Sequence, residues 1–157
     1  MEFNTLSLLI YSVNQLEGWI EEELYGRIKE VLPIPCVDLI IIQEGKILVM
    51  LRNNEPGKDL WFAPGGRVLR GEILDEAVYR VLLKETGLKP LSISQVGTMV
   101  HKWPEVQTIT TYYRVDVEDE VVSMNEEHRA YRWITGVPDE LHPYLIEMIS
   151  NTLERSA

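Results

Sequence analysis

The sequence predicts an α/β sandwich, a mixed β-sheet held between helices, and three observations lead to it. Segments 15–32, Leu74–Thr86 and 139–153 carry apolar residues at the three-and-four spacing of amphipathic helices. Between them lie short runs rich in Val, Ile, Thr and Tyr, bounded by Gly, Pro and Asn, which is the composition of strands. The 157 residues suit one domain with one sizeable core, so residues 1–157 are expected to form a single unit. No internal repeat or linker divides them.

Residues 1–14 read as an N-terminal extension. Its apolar stretch, 6–10, is far shorter than the roughly 18 residues of a membrane span. It also lacks the basic flank and small-residue cleavage site of a secretion signal, because Glu2 is the only charge before it. The helix over 15–32 aligns Leu16, Ile20, Leu24, Ile28 and Val31, and Pro33 and Pro35 end it. CVDLIIIQ and KILVMLR, joined by Glu44-Gly45, form a hairpin. A polar loop with Pro56 and Gly57 follows, then WFAPGGRV, a short strand broken by a Pro-Gly-Gly bend. Leu74–Thr86 is the best helix: Asp75 and Glu76 sit in the first turn, and Gly87 stands where a left-handed C-terminal cap belongs. LSISQVGTMVHKW and VQTITTYYRVDVED make a second hairpin, and AYRWIT a further strand. The last helix, over 139–153, aligns Leu141, Leu145, Met148 and Leu153.

Lys+Arg 15 against Asp+Glu 25 gives a net charge of −10, which argues against a surface that tracks a nucleic-acid backbone. A basic pocket inside this acidic body stays open. The single cysteine, Cys36, excludes an intramolecular disulfide and any multi-thiolate zinc site, and suits a reducing cytoplasm. Cys36 itself is expected to act as a small core hydrophobe. No membrane contact is expected.

On a wheel of about 100° per residue, Leu74, Ala77, Val78, Val81 and Leu82 share one face, and Glu85 falls in its middle. A carboxylate there either reaches back to water from a frayed end or is paired, protonated or bound to a metal. The surroundings of Glu85 bear on that choice. Gly66, Glu72, Arg80, Leu82, Glu85, Gly87 and Leu88 stand at the spacing of the Nudix box, and the region resembles a Nudix hydrolase. The resemblance implies a Nudix-like α/β/α sandwich. Two box glutamates, normally metal ligands, are replaced by Val81 and Lys84, which argues against the usual multi-metal attack on a phosphoanhydride. Arg80, one to two turns from Glu72 and Glu76, is expected to pair a carboxylate and hold the loop on the helix.

A narrower resemblance covers 36–135. LWFAPGGRV, the arginine of LVMLR, TTYY and EEHRAYRWIT are similar to segments of GDP-mannose mannosyl hydrolases, Nudix relatives with a depleted box that keeps its last glutamate. That resemblance implies one Mg²⁺, or Mn²⁺ in its place, held by the Gly65 carbonyl, Glu85 and Glu127, where the usual residue is a glutamine. It implies His128 as general base for water attacking C1 of the sugar, and Arg52 and Arg67 as catalytic grips on the diphosphate. Imidazole titrates near neutrality, and guanidinium matches phosphate oxygens two at a time. Tyr113 would donate to a phosphate oxygen, although it alternates with Tyr112 and one of the two is expected in the core. Asp38 and His101 would contact the sugar. Trp61, Trp103 and Trp133 are read as packing, with a base stacker among them as the alternative.

The expected activity is Mg²⁺-dependent hydrolysis of a nucleoside diphosphate sugar resembling GDP-mannose to sugar and nucleoside diphosphate, by a homodimer. The alternatives are ordinary Nudix cleavage of the diphosphate, or a Nudix module that binds a nucleotide without turning it over.

Overall fold

A computed structural model of the chain describes residues 20–155. In order, the elements are α1 (Glu22–Val31), β1 (Ile34–Gln43), β2 (Lys46–Arg52), β3 (Trp61–Phe62), β4 (Gly65–Arg67), α2 (Leu74–Thr86), β5 (Pro90–Lys102), β6 (Gln107–Val117), β7 (His128–Ile134) and α3 (Pro143–Glu154). The strands form one sheet in which β3-β2-β1-β6-β5 lie side by side, with β4 paired to β1 and β7 to β2. β1 and β6 run parallel while the other pairs are antiparallel, so the sheet is mixed.

β1 explains the layering. Its residues 37–43 are all buried, as expected of a strand covered on both faces. Val37, Leu39 and Ile41 pack with Ala77, Val78, Val81 and Leu82 of α2. Ile40 and Ile42 face the other way and pack with Leu145, Met148 and Ile149 of α3. The result is the α/β sandwich that the sequence predicts.

α2 begins and ends where its sequence signals it. The Glu76 carboxylate accepts the Ile73 N–H at 3.0 Å, which satisfies one orphan donor of the first turn. Gly87 closes the helix at φ 68°, ψ 2°, its N–H donating to the Leu83 carbonyl. That left-handed conformation carries no penalty for glycine. The loop before α2 is tied to it by Arg80, whose Nε and Nη2 donate to the two oxygens of Glu72 at 2.5 and 2.9 Å. The same Nη2 donates to the Arg67 carbonyl at 2.7 Å, and Glu72 also accepts the Leu69 N–H at 2.8 Å.

Several boundaries differ from expectation. Of the helix expected over 15–32, residues 15–19, with Leu16, lie outside the described residues, as does the extension 1–14. Within them, α1 buries none of its side chains, and Leu24 and Val31 are 52% and 75% exposed. Its apolar stripe therefore packs on no core. The last helix starts at Pro143, with the His142 Nδ1 accepting the Tyr144 N–H at 3.2 Å. Proline's fixed φ suits that first position, so 139–142 precede the helix, and Thr152 faces inward while Leu153 is exposed. Ala63-Pro64 divides WFAPGGRV into two strands, and β7 begins at His128, two residues before AYRWIT. Among the described residues no helix is long and apolar enough to cross a membrane.

The Arg80 guanidinium holds the Glu72 carboxyl below its usual range. A carboxylate with a depressed pKa adds stability above its unfolded value, about 4.3, and loses it as pH falls through the folded value. Arg80→Ala should lower the unfolding free energy by about 1–2 kcal/mol at pH 7, between the values for exposed and buried pairs. In urea titrations that deficit should shrink below pH 4. A deficit of the same size at pH 3 would show that Arg80 stabilises by packing rather than by charge.

Candidate active site

The pairing of β1 with β4 and β6 fixes the floor of a cavity of about 690 Å³. Side chains alternate along a strand, so Cys36 and Asp38 of β1 share a face with Thr108 and Thr110 of β6, and all four line it. Phe62, His101 and Trp103 line it as well. Arg52 enters from the end of β2, Gly65–Arg67 form β4 along one side, and Lys84 and Glu85 come from the last turn of α2. Glu127 arrives just ahead of β7.

Glu85 is 3% exposed. Its Oε2 accepts the Gly65 N–H at 3.3 Å and stands 2.9 Å from the Nε2 of His128. A carboxylate only accepts, so a neutral His128 ring carries its proton on Nε2 and leaves Nδ1 as an acceptor. That Nδ1 is buried without a hydrogen-bond partner among the described residues. The helix wheel placed Glu85 on the inner face, and its paired state there excludes the frayed, water-seeking alternative. The Arg52 N–H at Nε donates to the Pro56 carbonyl at 2.7 Å. The Arg67 guanidinium lies 4.6 Å from the ring centre of Tyr25, so α1 reaches the cavity rim through an aromatic face.

Gly65 is required by close approach. A Cβ there would stand 2.0 Å from the Oδ1 of Asp38 and 2.8 Å from the Val37 carbonyl. Asp38 is buried, and its carboxyl is pushed up to about 7 by loss of solvation, with Arg52 pulling it down and Glu85 pushing it further up. Two acids thus lean on each other beneath one arginine. His101 is also buried, stacked on Tyr144 at 4.3 Å. Burial, then the neighbouring His142, pushes its imidazole down to about 4, so the ring is neutral at pH 7. Its Nε2 has no hydrogen-bond partner among the described residues.

Asp38, Arg52, Gly65, Gly66, Arg67, Arg80, Glu85, His101 and Glu127 therefore line one cavity. Tyr113 does not. The register sets Asp38 opposite Tyr112 and Leu39 opposite Tyr113, so Tyr113 points into the core beneath α2. Its hydroxyl donates to the Oδ1 of Asp75 at 3.2 Å, and burial with Asp75 pushes the phenol up to about 12. Tyr112 enters the other core, so both tyrosines are packed and Thr108 and Thr110 stand on the floor instead. His128 lies behind Glu85 rather than on the cavity wall, with its side chain 2% exposed. Cys36, expected in the core, is half-buried and lines the cavity. Glu72 and Gly87 belong to the scaffold described above. Sequence reasoning missed the threonines, the Glu85–His128 contact and an ion pair between Lys84 and Glu127 at 3.1 Å. The alternation of TITTYY was the one available signal for the threonines.

The donor set suits a hard divalent cation with few protein ligands. Glu85 engages only Oε2 in hydrogen bonds, and Oε1 takes no hydrogen bond among the described residues. Yet no three His, Cys, Asp or Glu side chains among those residues converge as a cage. Val81 offers nothing, because it is buried in the core against Gly66. Mg²⁺ tolerates such sites, since it keeps waters and takes oxygens from its substrate.

The NUDIX domain family model matches residues 32–147. The chain belongs to the Nudix family. Nudix hydrolases as a class act on nucleotide-linked substrates and generally use divalent metals such as Mg²⁺. The chain is 32% identical over 134 residues to the low-salt glycan biosynthesis protein Agl8 of Haloferax volcanii, a match covering 80% of this chain and 86% of that protein. It is 45% identical over 65 residues to the ADP-ribose pyrophosphatase of Methanocaldococcus jannaschii, covering 41% and 38%. Its fold superposes on the MutT protein of Methanosarcina mazei Go1 with a TM-score of 0.71 at 25% identity, covering 81% of this chain and 99% of that one.

The raised Asp38 carboxyl makes stability pH-dependent. The folded state holds that proton to about pH 7, the unfolded state only to about 3.9, so stability is present at low pH and lost as pH rises through 7. In the presence of chelator, Asp38→Asn should exceed the wild type in unfolding midpoint above pH 7, and the gap should narrow toward pH 4. A constant gap would mean that the folded chain does not perturb this carboxyl.

Proposed function

We propose that this Nudix protein is a divalent-cation-dependent hydrolase of a nucleoside diphosphate sugar resembling GDP-mannose, with water attacking C1 of the sugar and nucleoside diphosphate leaving. The observation that carries this reading is the single cavity-facing box carboxylate. Glu85 is present, while the two other box positions hold a core valine and a lysine committed to Glu127. One cation is enough to steady a departing diphosphate. Activating a water and bracketing phosphorus together is more readily done by two.

The Gly65 carbonyl, Glu85 and Glu127 would hold the cation, which when bound supplies positive charge to the leaving diphosphate. The chain's own groups do the rest. Arg52 and Arg67 grip phosphate oxygens with planar forks that stay charged at any working pH. Asp38 and the neutral His101 stand on the floor to receive sugar hydroxyls. In this reading His128 is the general base and Nδ1 its accepting atom. That nitrogen is buried behind Glu85 in this structure, so the role requires the attacking water to reach it past the Glu85 side chain. The Glu85 carboxylate supports it by fixing the ring through Nε2 and stabilising the imidazolium that forms, as a carboxylate does beside a catalytic histidine. The expected dimer is favoured by Leu24, Val31 and Leu32, which give α1 an exposed apolar side for a second copy to cover. A single cysteine, and so no disulfide within these 157 residues, fits a cytoplasmic setting.

A second reading keeps attack at phosphorus, giving sugar phosphate and nucleoside monophosphate. The burial of His128 behind Glu85 favours it, because the ring then acts only by orienting that carboxylate. The ADP-ribose pyrophosphatase relative favours it too.

Turnover of a nucleotide-sugar panel in H₂¹⁸O with Mg²⁺ separates the two. The label is expected on the free sugar, and label on phosphate would establish the second reading. His128→Ala should lose about 10²–10⁴ in kcat and regain part of it with added imidazole. Loss without rescue would make His128 a positioning residue, and no turnover of any nucleotide sugar would reduce the protein to a binding module.

A further inference from the structure

Lys84 is the one cationic side chain in the cavity that stands at a position where the box normally carries a metal-binding glutamate. Its Nζ lies 3.1 Å from the Oε1 of Glu127, at the open end of the cavity and one residue before Glu85. The bland account is a solvated ion pair with a lysine suited to a helix C-terminus. That account leaves the placement unused. The pair joins the last turn of α2 to the segment before β7, and that segment is held independently. The Asn53 N–H donates to the Glu127 carbonyl at 2.9 Å, and the Glu127 N–H donates to the Oδ1 of Asn125 at 3.2 Å. The backbone that carries Glu127 is therefore held, and the exposed Lys84 ammonium has a positioned carboxylate to meet. Charge reinforces the point. The cavity is lined by the acids Asp38, Glu55, Glu85 and Glu127 and by the bases Arg52, Arg67, Arg80 and Lys84, a local balance inside a chain of net charge −10. Arg80 is paired with Glu72, so Lys84 is part of the positive charge that offsets the acids of this cavity.

We propose that Lys84 is a built-in second cation of the diphosphate site. Anchored on Glu127, its ammonium meets a phosphate oxygen of the bound nucleoside diphosphate where a second divalent ion would otherwise sit, and it keeps Glu127 from binding the metal at full strength. Lys84 is thus a substrate-binding residue that sets the metal count, and the idea rests on the nucleoside diphosphate sugar reading above. An ammonium serves here as a point charge with three donors, which suits a phosphate oxygen. Unlike a metal, it needs no cage of three acidic or imidazole side chains, and none is found among the described residues.

The test reads binding rather than turnover. Calorimetric titration with GDP, UDP and ADP in EDTA, and Mn²⁺ counted by electron paramagnetic resonance, are compared across variants of the full chain. Wild type should take one Mn²⁺ and bind at least one of the diphosphates without metal. Lys84→Ala, which removes only an exposed ion pair and so should fold, is expected to weaken diphosphate binding in EDTA about tenfold, the scale of one charge-assisted hydrogen bond. It should also tighten Mn²⁺ several-fold, because Glu127 is released. Lys84→Arg should retain both values within about threefold. Lys84→Glu should take up a second Mn²⁺. Lys89→Ala, an exposed lysine outside the cavity, should change neither. Unchanged diphosphate affinity in Lys84→Ala, or two Mn²⁺ in wild type, overturns the role of Lys84 while leaving the substrate reading intact. A wild type that neither binds a diphosphate nor turns over a nucleotide sugar overturns both.

Discussion

The structure depends on how a carboxylate can be kept inside it. Glu85 sits at the inner face of the last turn of α2, 3% exposed. An isolated charge there would cost several kcal/mol unless donors meet it. Two do, the Gly65 N–H and the Nε2 of His128, and each is fetched from far along the chain. The glycine is held by the β1–β4 ladder, with Asp38 so close that no side chain could replace its hydrogen. The histidine begins β7, paired to Arg52 at the end of β2. Gly87 stops the helix within two residues, and so fixes where the acid ends up. These donors leave the negative charge itself uncancelled. Asp38 responds by holding its proton to about pH 7, partly because Glu85 is there. Arg52 is the cation that acts on this pair of acids in the described chain, and it offsets their repulsion only in part, which leaves room for the proposed metal.

Much of this was legible beforehand, for identifiable reasons. The helix Leu74–Thr86 was readable because its ends carry local chemistry, acids at one end and Gly87 at the other, and because its periodicity set Glu85 inward. β1 was readable because a strand buried on both faces must be apolar almost throughout. The arginines, Gly65 and Asp38 came together because β2 and β4 both pair antiparallel with β1 within one stretch of chain, so their contacts are nearly local. Arg80 found Glu72 eight residues away, as expected.

What was not legible is governed by register and by long-range pairing. Whether Tyr112 or Tyr113 shares a face with Asp38 depends on a parallel pairing between strands some seventy residues apart, and a shift of one residue reverses every side chain. Both tyrosines then turn out to be packed, and the threonines two and four positions before Tyr112 take the floor. The Lys84–Glu127 and Glu85–His128 contacts each span 43 residues. They join a helix to the start of a strand through a connection whose geometry no local pattern encodes. α1 fails differently. Its spacing is amphipathic, but amphipathicity announces only a need for a partner surface, and the rest of the described chain does not supply one.

The same constraint orders the chemistry. A cavity with four acids in a chain of charge −10 would repel a diphosphate unless its cations were fixed nearby. Arg52 and Arg67 come from the sheet side and Lys84 from the helix side, so positive charge stands on both sides of the space where the diphosphate would lie. The family's box usually brings that charge in as metal, held by glutamates. Here one of those glutamates has become a core valine that packs beneath Gly66, and another a lysine. A single substitution of this kind would leave a metal site short of one ligand. On the proposed reading, the two together, with a carboxylate at 127 to anchor the new ammonium, would exchange mobile positive charge for covalently fixed charge. Fixed charge can steady a departing diphosphate, but it cannot activate a water at phosphorus, and the proposed attack at carbon asks only for the first.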